Sequence, residues 1–188
     1  MATQDSRIKI KRSTVTATVP TVPSSNDHTD GTWVATDIYK GELFFNQADG
    51  VLWSRDDSGV VCLGGSASLT IASADVLTLN TTPLTIVGAV AGYAIEVISA
   101  SVKIDFNSVA YATNTDLYLI SDTLPDEQFY WASNVLATNT DIFAQGTKNN
   151  DVNALIENKS VNVEVGTGNP TAGDSDITVY VHYRLIPA

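Results

Sequence analysis

Two histidines and three groups of neighbouring carboxylates are the side chains of this sequence that could perform acid–base chemistry. Nucleophilic catalysis requires a base beside the nucleophile, and neither His28 nor His182 lies in a motif that supplies one. Paired carboxylates could support glycoside hydrolysis, but adjacent residues on a strand point to opposite faces, so Asp126-Glu127 and Asp56-Asp57 would not automatically share a proton. The candidate pairs are Asp56-Asp57, Asp126-Glu127 and Asp174-Ser175-Asp176. We read them as turn or loop residues and expect no enzyme activity and no cofactor.

Metal and phosphate chemistry has similarly weak support. The stretches 149–151 and 173–176 carry oxygen ligands that suit Ca²⁺, but Asn and Asp are also common turn formers and no EF-hand spacing is present. Residues 166–170 are glycine-rich without the ending of a phosphate-binding loop, so they predict a turn. Cys62 is the single cysteine, which excludes an intrachain disulfide. We predict no metal site, with calcium in a loop as the alternative.

The charge is unevenly distributed along the chain. The formal net charge is −11, from 21 acidic and 10 basic side chains, and argues against nucleic acid or an anionic membrane as a general partner. The first twelve residues nevertheless contain four cations and one acid. No apolar run is long enough to span a membrane, and we expect synthesis in a cytoplasm without membrane insertion.

The elements that would position these residues are strands. Val, Ile, Leu, Thr and Tyr are separated by Asn, Asp, Gly and Ser, which predicts an all-β protein. Residues 7–12 alternate cation and isoleucine as a short strand, and Pro20 and Pro23 indicate an irregular tether. A hairpin and a third strand follow within 41–65, with glycine available at the turn. Its apolar residues fall in both phases of the strand pattern, so we expect both faces to be covered, by other chains or a large partner.

The remainder predicts an antiparallel β-sandwich of jelly-roll type over 76–188, after a linker at 66–75. The last strand alternates cleanly from Ile177 to Ile186, with Ile177 and its alternate neighbours inward. The long run 93–106 changes phase, which predicts a bulge near Val97-Ile98. The predicted strands are Val76–Asn80, Leu84–Val87, Tyr93–Phe106, Leu117–Ser121, Ile142–Ala144, Ala154–Ile156, Val161–Val165 and Ile177–Ile186.

Residues 1–65 resemble the N-terminal attachment module of tailed-bacteriophage fibre and head-appendage proteins. The resemblance consists of a cationic strand, a Pro/Thr tether and a glycine-bounded hairpin in that order. The matching residues are Arg7, Ile8, Ile10, Lys11, Arg12, Gly41, Glu42, Leu43, Asn46, Gly50, Leu52, Trp53, Gly59, Val61 and Leu63. Residues 83–188 look like the β-sandwich domains of phage head fibres or tail-associated proteins, through the long strand, residues 110–112, 168–170 and the closing strand.

This resemblance implies a virion structural protein: a homotrimeric head fibre that docks on the capsid through residues 1–65 and projects its sandwich outward. A tail fibre or decoration protein whose sandwich binds host-surface glycans is the alternative, and a depolymerase is a weaker one. Three sets of residues carry these hypotheses. They are Arg7, Ile8, Lys9, Ile10, Lys11 and Arg12 for virion attachment; Leu43, Phe44, Phe45, Leu52, Trp53, Val61 and Leu63 for oligomerisation; and Phe129, Tyr130 and Trp131 for glycan contact.

Overall fold

A computed structural model describes residues 10–25, 32–121, 127–149 and 155–187. The chain divides into two compact units, Met1–Gly65 and Ser66–Ala188. Nearly all regular structure is β, as the composition predicts. The strand β4, Val60–Ile71, begins in the first unit and ends in the second.

The first unit is a short meander with one parallel edge. Strands β2, Leu43–Asn46, and β3, Val51–Arg55, form the predicted antiparallel hairpin, and the start of β4 pairs with β3. Strand β1, Lys11–Ser13, runs parallel to β2 at the other edge. At the hairpin turn Gly50 has φ +66°, a conformation that favours glycine.

The second unit is a sandwich of two sheets. One contains β12, flanked by β6 and by the end of β4, with β9 beyond β6; the other has the order β10-β8-β7-β11-β5. The strands of this unit after β4 are β5 Leu84–Val87, β6 Tyr93–Asp105, β7 Tyr118–Ser121, β8 Glu127–Tyr130, β9 Ile142–Gln145, β10 Thr147–Lys148, β11 Val161–Glu164 and β12 Asp176–Pro187. A helical turn, α1, spans Ser73–Val76, and a 3₁₀ turn spans Val135–Ala137.

The long strands pair as their patterns predict. Every second residue of β12, from Ile177 to Leu185, is buried, and the alternate residues face outward. The pairing of β12 with β6 shifts where His182 lies opposite Ser99 and Tyr183 opposite Val97. Ile98 is therefore the extra residue, which confirms the predicted bulge.

Two predicted elements differ in the structure. The stretch 66–75, predicted as a linker, continues as strand to Ile71 and then enters α1, because its small residues pair along β12. Residues 76–80, predicted as a strand, form the end of α1 and hydrogen-bonded turns. Val76 and Leu79 are both fully buried at a spacing of three, a helical period that was misread as an apolar strand.

The predicted strand at 154–156 also differs where it is described. Residues 155 and 156 are irregular, and a single bridge joins Glu157 to Ala94 instead. Residue 154 lies outside the described residues. The described parts of the predicted tether, residues 14–25 and 32–42, are mostly irregular, with one parallel bridge between Thr21 and Asp37.

Candidate assembly and attachment surfaces

One face of the first unit's meander is covered by the chain that precedes it. Phe44 lies opposite Trp53 in the register, so their side chains share a face, and each is only 1% exposed. Asn46 lies on the same face and donates from Nδ2 to the carbonyl oxygens of Val15 and Thr18, at 3.1 and 3.2 Å. The predicted tether therefore folds back over the hairpin and supplies the cover for this face.

The turn chemistry of the hairpin agrees with its sequence. The Asn46 Oδ1 atom accepts a hydrogen bond from the backbone N–H of Ala48 at 3.0 Å and thereby caps the loop. Asp49 Oδ2 accepts from Asn46 Nδ2 and from the Ala17 N–H, both at 2.6 Å. We call the described part of the folded-back tether, residues 14–25 and 32–39, the covering segment. One buried amide thus connects the turn to the covering segment.

A second set of polar contacts holds the covering segment at its other end. Lys11 Nζ donates to the Asp37 carbonyl oxygen at 2.7 Å and to Glu42 Oε2 at 2.9 Å. The same Glu42 oxygen accepts from the Tyr39 N–H at 2.8 Å. Arg55 Nη1 donates to the Ile38 carbonyl oxygen at 3.1 Å. Two cations from the meander therefore bind consecutive carbonyl groups of the covering segment.

The Asp37 carboxylate is organised within the same segment. It accepts hydrogen bonds from Thr21 Oγ1 at 2.6 Å and from the Val34 N–H at 2.8 Å. These two bonds, helped by the charges of Lys11 and Arg55, hold the pKa of Asp37 below its usual value. Asp37 is ionised at neutral pH and links the two halves of the covering segment.

Lys11 is also bordered by two aromatic rings. Its Nζ lies 5.9 Å from the ring centroid of Trp33 and 5.5 Å from that of Tyr39, distances at which a cation and an aromatic face attract. Together with Glu42 these residues line an open pocket of about 510 Å³. Lys11 was predicted to contact another virion protein, but its charge is used inside this unit.

The opposite face of the meander is apolar, and the described residues of the first unit leave it partly exposed. Phe45 lies opposite Leu52, and Val61 lies opposite Ser54, which places these side chains on the face away from Phe44 and Trp53. Leu43, Phe45 and Val61 are 36–37% exposed and Leu63 is 54% exposed. The register shift after Leu52 puts Leu63 beside it on this face. We call the set Leu43, Phe45, Leu52, Val61 and Leu63 the open apolar face.

The structure therefore divides the predicted oligomerisation residues into two groups. Phe44 and Trp53 belong to the internal core, because the folded-back segment covers them, and they cannot contact another chain without unfolding. The other five form the open apolar face. The sequence contained a signal for the covered face. Phe44 and Asn46 are two residues apart and lie on the same face of the strand, and a buried polar residue such as Asn46 needs hydrogen-bond partners.

The predicted attachment residues are only partly described. Arg7, Ile8 and Lys9 lie outside the described residues. Ile10 is 46% exposed, and Arg12 is exposed on the strand edge beside Phe45. Arg12 and Ile10 are thus the described members of that set whose side chains are accessible.

The predicted aromatic contact patch does not exist as a surface. Phe129 and Trp131 are each 3% exposed, and Trp131 Nε1 donates to the Ala144 carbonyl oxygen at 3.1 Å. Both side chains pack against the chain at Gly146, where an added Cβ would lie 3.2 Å from either ring. Tyr130 alone is exposed, at 40%. The hypothesis that these three rings stack on a glycan is wrong, because two of them are core residues.

The residues with possible acid–base chemistry have structural partners. Asp56 Oδ1 accepts from the backbone N–H groups of Ser58 and Gly59, and Asp57 pairs with Lys40. Asp176 Oδ1 accepts from the Ser73 N–H at 2.9 Å. His182 lies outward on β12, whereas His28 and Asp126 lie outside the described residues.

Asp174 is the most highly coordinated of these carboxylates. Its Oδ1 accepts from the N–H groups of Ser108 and Val109, at 3.1 and 2.8 Å, and its Oδ2 accepts from Ser108 Oγ and Asn107 Nδ2, at 2.6 and 3.0 Å. The hydrogen bonds from Ser108 and Val109 lower the pKa of Asp174. This carboxylate fastens the loop that follows β6.

Two searches of the described ranges concern metals and membranes. They contain no group of three or more His, Cys, Asp or Glu side chains arranged to hold a metal ion. No helix in them combines the length and apolar character that crossing a bilayer requires.

Comparisons with known proteins are sparse. No protein-family model matches the sequence, and no curated protein matches it. Among solved structures, the chain is similar to one in the "Cyanophage Pam1 capsid asymmetric unit", with 19% identity over 64% of this chain and 82% of that chain and a TM-score of 0.40. A TM-score of this size assigns neither a fold nor a function, so the class of this protein is defined by its own architecture: an all-β chain with a sandwich.

Proposed function

We propose that this chain is a non-enzymatic structural protein of a bacteriophage virion. In this proposal it forms a homotrimeric head fibre whose first unit joins the chains and attaches them to the capsid. The observation that carries the proposal is the open apolar face. The sequence resemblance of residues 1–65 to phage attachment modules supports the virion context.

The open apolar face is costly for a protein that remains a monomer. Five apolar side chains lie together on three neighbouring strands, and burial of apolar surface stabilises association by roughly 25 cal/mol per Å² of apolar area. A contiguous exposed patch of this kind marks an interaction site rather than scattered surface residues. Other copies of the same chain provide the matching apolar surface, as closed homo-oligomers commonly do.

The accessible part of the cationic arm suits attachment. Arg12 is exposed beside Phe45 at the edge of the meander, whereas Lys11 is held internally by Glu42. Exposed positive charge on an otherwise acidic chain favours an acidic site on the docking partner. We assign attachment to Arg12 and the residues before it and assembly to the open apolar face.

The state of assembly is tested by light scattering of the purified full chain. Three chains of 20.0 kDa give a trimer of about 60 kDa. We expect the double variant Phe45→Gln, Leu63→Gln to elute as a monomer. The matched control is Val22→Gln, which changes an apolar residue of the same unit outside the open apolar face, with an exposure of 49% that lies between those of Phe45 and Leu63. A monomeric wild-type chain, or a trimer unaffected by the double substitution, would contradict the proposed assembly.

The virion role has a separate test. Peptides of this chain should be present in gradient-purified particles of the phage that encodes it, at a copy number divisible by three. Deletion of residues 1–9 combined with Arg12→Gln, which leaves Lys11 and its contacts with Asp37 and Glu42 in place, should remove the chain from the particles while the purified protein stays trimeric. Absence from purified particles would refute the virion role without bearing on the trimer.

A further inference from the structure

The outward face of the sheet that contains β12 is a continuous polar surface with two aromatic side chains. Residues directly opposite each other on neighbouring strands share a face. One row across this face contains Tyr180 on β12, Ser101 on β6 and Gln145 on β9. In the adjacent row Lys103 lies between Thr178 and Phe143. Hydroxyl, amide and aromatic groups therefore alternate across three strands.

Phe143 and Tyr180 form an exposed aromatic pair on this face. Phe143 is 62% exposed and Tyr180 is 39% exposed, with ring centroids 6.2 Å apart and planes inclined by 43°. Phe143 lies on β9 and Tyr180 on β12, and both strands pair with β6, which lies between them. The positions of the two rings are therefore fixed by the sheet rather than by a loop. Ser101, the small residue that pairs with Tyr180, leaves the two rings room to approach each other.

A shallow groove continues from the aromatic pair. It has a volume of about 300 Å³ and is lined by Ser66, Ala67 and Ser68 from β4 and by Tyr180, Val181 and His182 from β12. Thr70 Oγ1 lies 3.1 Å from Thr178 Oγ1, so the hydroxyl row of β4 and the outward row of β12 occupy the same face. The groove thus offers hydroxyl and imidazole hydrogen-bonding groups beside an exposed ring.

The cations on this face are already paired. Lys103 Nζ lies 2.7 Å from Asp105 Oδ1, and Arg184 Nε lies 2.6 Å from Glu96 Oε2. Among the described residues of this face, a phosphate or carboxylate ligand would therefore find no unpaired lysine or arginine. A cationic ligand would find the carboxylates of Asp105 and Glu96 already paired. The face is chemically suited to a neutral ligand.

We propose that this outward face binds a neutral carbohydrate, with Phe143 and Tyr180 stacking on sugar rings and the groove beside Tyr180 donating to and accepting from their hydroxyl groups. Aromatic faces bind the apolar C–H side of a sugar ring, while hydroxyl and imidazole groups satisfy its polar edge. The inference goes beyond the virion role and does not require it, since it depends only on the second unit.

The test is affinity electrophoresis of the full-length protein in gels containing neutral polysaccharides: soluble starch, dextran, yeast mannan, galactomannan, xylan and mixed-linkage β-glucan. We expect at least one to retard the wild type, and Phe143→Ala and Tyr180→Ala each to weaken binding by about tenfold in Kd, about 1.4 kcal/mol. Titration calorimetry with the corresponding oligosaccharide gives the Kd values.

The matched control is Tyr130→Ala, which removes a ring of the same sandwich that lies outside this face and is as exposed as Tyr180, and it should leave the affinity unchanged. Three results would overturn the proposal: a loss of affinity in Tyr130→Ala, wild-type affinity in both Phe143→Ala and Tyr180→Ala, or no retardation of the wild type in any gel. A change of oligomeric mass in Phe143→Ala would also overturn it, because the pair would then be a contact between copies. None of these results affects the trimer test, whose variants lie in the first unit.

Discussion

The side chain of Gln128 connects the two sheets of the sandwich, and its removal should destabilise the second unit. Gln128 is 3% exposed on β8. Its Oε1 accepts from the Val97 N–H at 2.7 Å, and its Nε2 donates to the Ile95 carbonyl oxygen at 2.9 Å and to Ser121 Oγ at 2.6 Å. The backbone groups that it binds lie beside the Ile98 bulge, so the amide satisfies polar groups next to a break in the ladder.

The substitution Gln128→Leu keeps a similar volume and removes all three hydrogen bonds. A buried donor or acceptor left without a partner costs about 1–3 kcal/mol. The Val97 N–H has one proton and loses its partner completely, whereas the Ile95 oxygen and the Ser121 hydroxyl retain other bonding capacity. We therefore expect a loss of about 2–4 kcal/mol, a large share of the 5–15 kcal/mol by which domains are stable.

The assay is urea unfolding followed by far-UV circular dichroism, with amide hydrogen exchange at Val97 as a local readout. The control Gln145→Leu replaces an exposed glutamine of the same sandwich and should stay within about 0.5 kcal/mol of wild type. If Gln128→Leu also stays within that range, or if exchange at Val97 does not accelerate, the hydrogen bonds between the sheets do not stabilise the unit as argued.

Two further predictions concern single positions of the sandwich. Gly173→Ala should cost about 2–4 kcal/mol in urea unfolding, because Gly173 has φ +116° and an added Cβ would lie 2.1 Å from Tyr111 Cδ1. The control Gly92→Ala has φ +78° and no atom within 4 Å of an added Cβ, so it should show only the backbone cost of about 1 kcal/mol. Equal losses of stability in the two variants would refute the steric clash with Tyr111. Burial, with a smaller contribution from the negative charge of Glu127, raises the pKa of Glu164 in the folded protein. The protonated carboxyl therefore contributes stability below the pKa of Glu164 in the unfolded chain. This contribution is lost as pH rises through the pKa of Glu164 in the folded protein. Glu164→Gln should therefore raise the urea midpoint at pH 7 and leave it unchanged near pH 3, and an equal effect at both pH values would contradict this assignment.

The strand pattern predicted most of the sandwich because its signal is local. The alternation of β12 specified the buried face, and the change of phase in β6 located the bulge beside Val97 to within one residue. Both features follow from the period of two that a strand imposes on its side chains. The helical turn at Ser73–Val76 was missed because four residues are too short for helical and strand periods to differ.

The surfaces depended on contacts that no local pattern contains. The apolar residues of the meander indicated that cover was required, but not that residues 14–25 and 32–39 would fold back to supply half of it. The aromatic run at 129–131 was predicted to be a contact patch, and nothing in its local pattern indicates which rings are buried. The chain crosses between sheets at Gly146, and this crossing provides the space in which Phe129 and Trp131 are buried.

The division of the meander into a covered and an open face has a consequence for assembly. A unit of 65 residues buries a small fraction of its surface, and its core here depends on a mainly irregular segment fastened by Asn46, Lys11 and Arg55. Burial of the open apolar face in a trimer would add stability that rises with protein concentration, as for any equilibrium in which association favours the folded state. In the proposed trimer, correct folding of the covering segment and assembly of the fibre would therefore reinforce each other, because the same hairpin forms both faces.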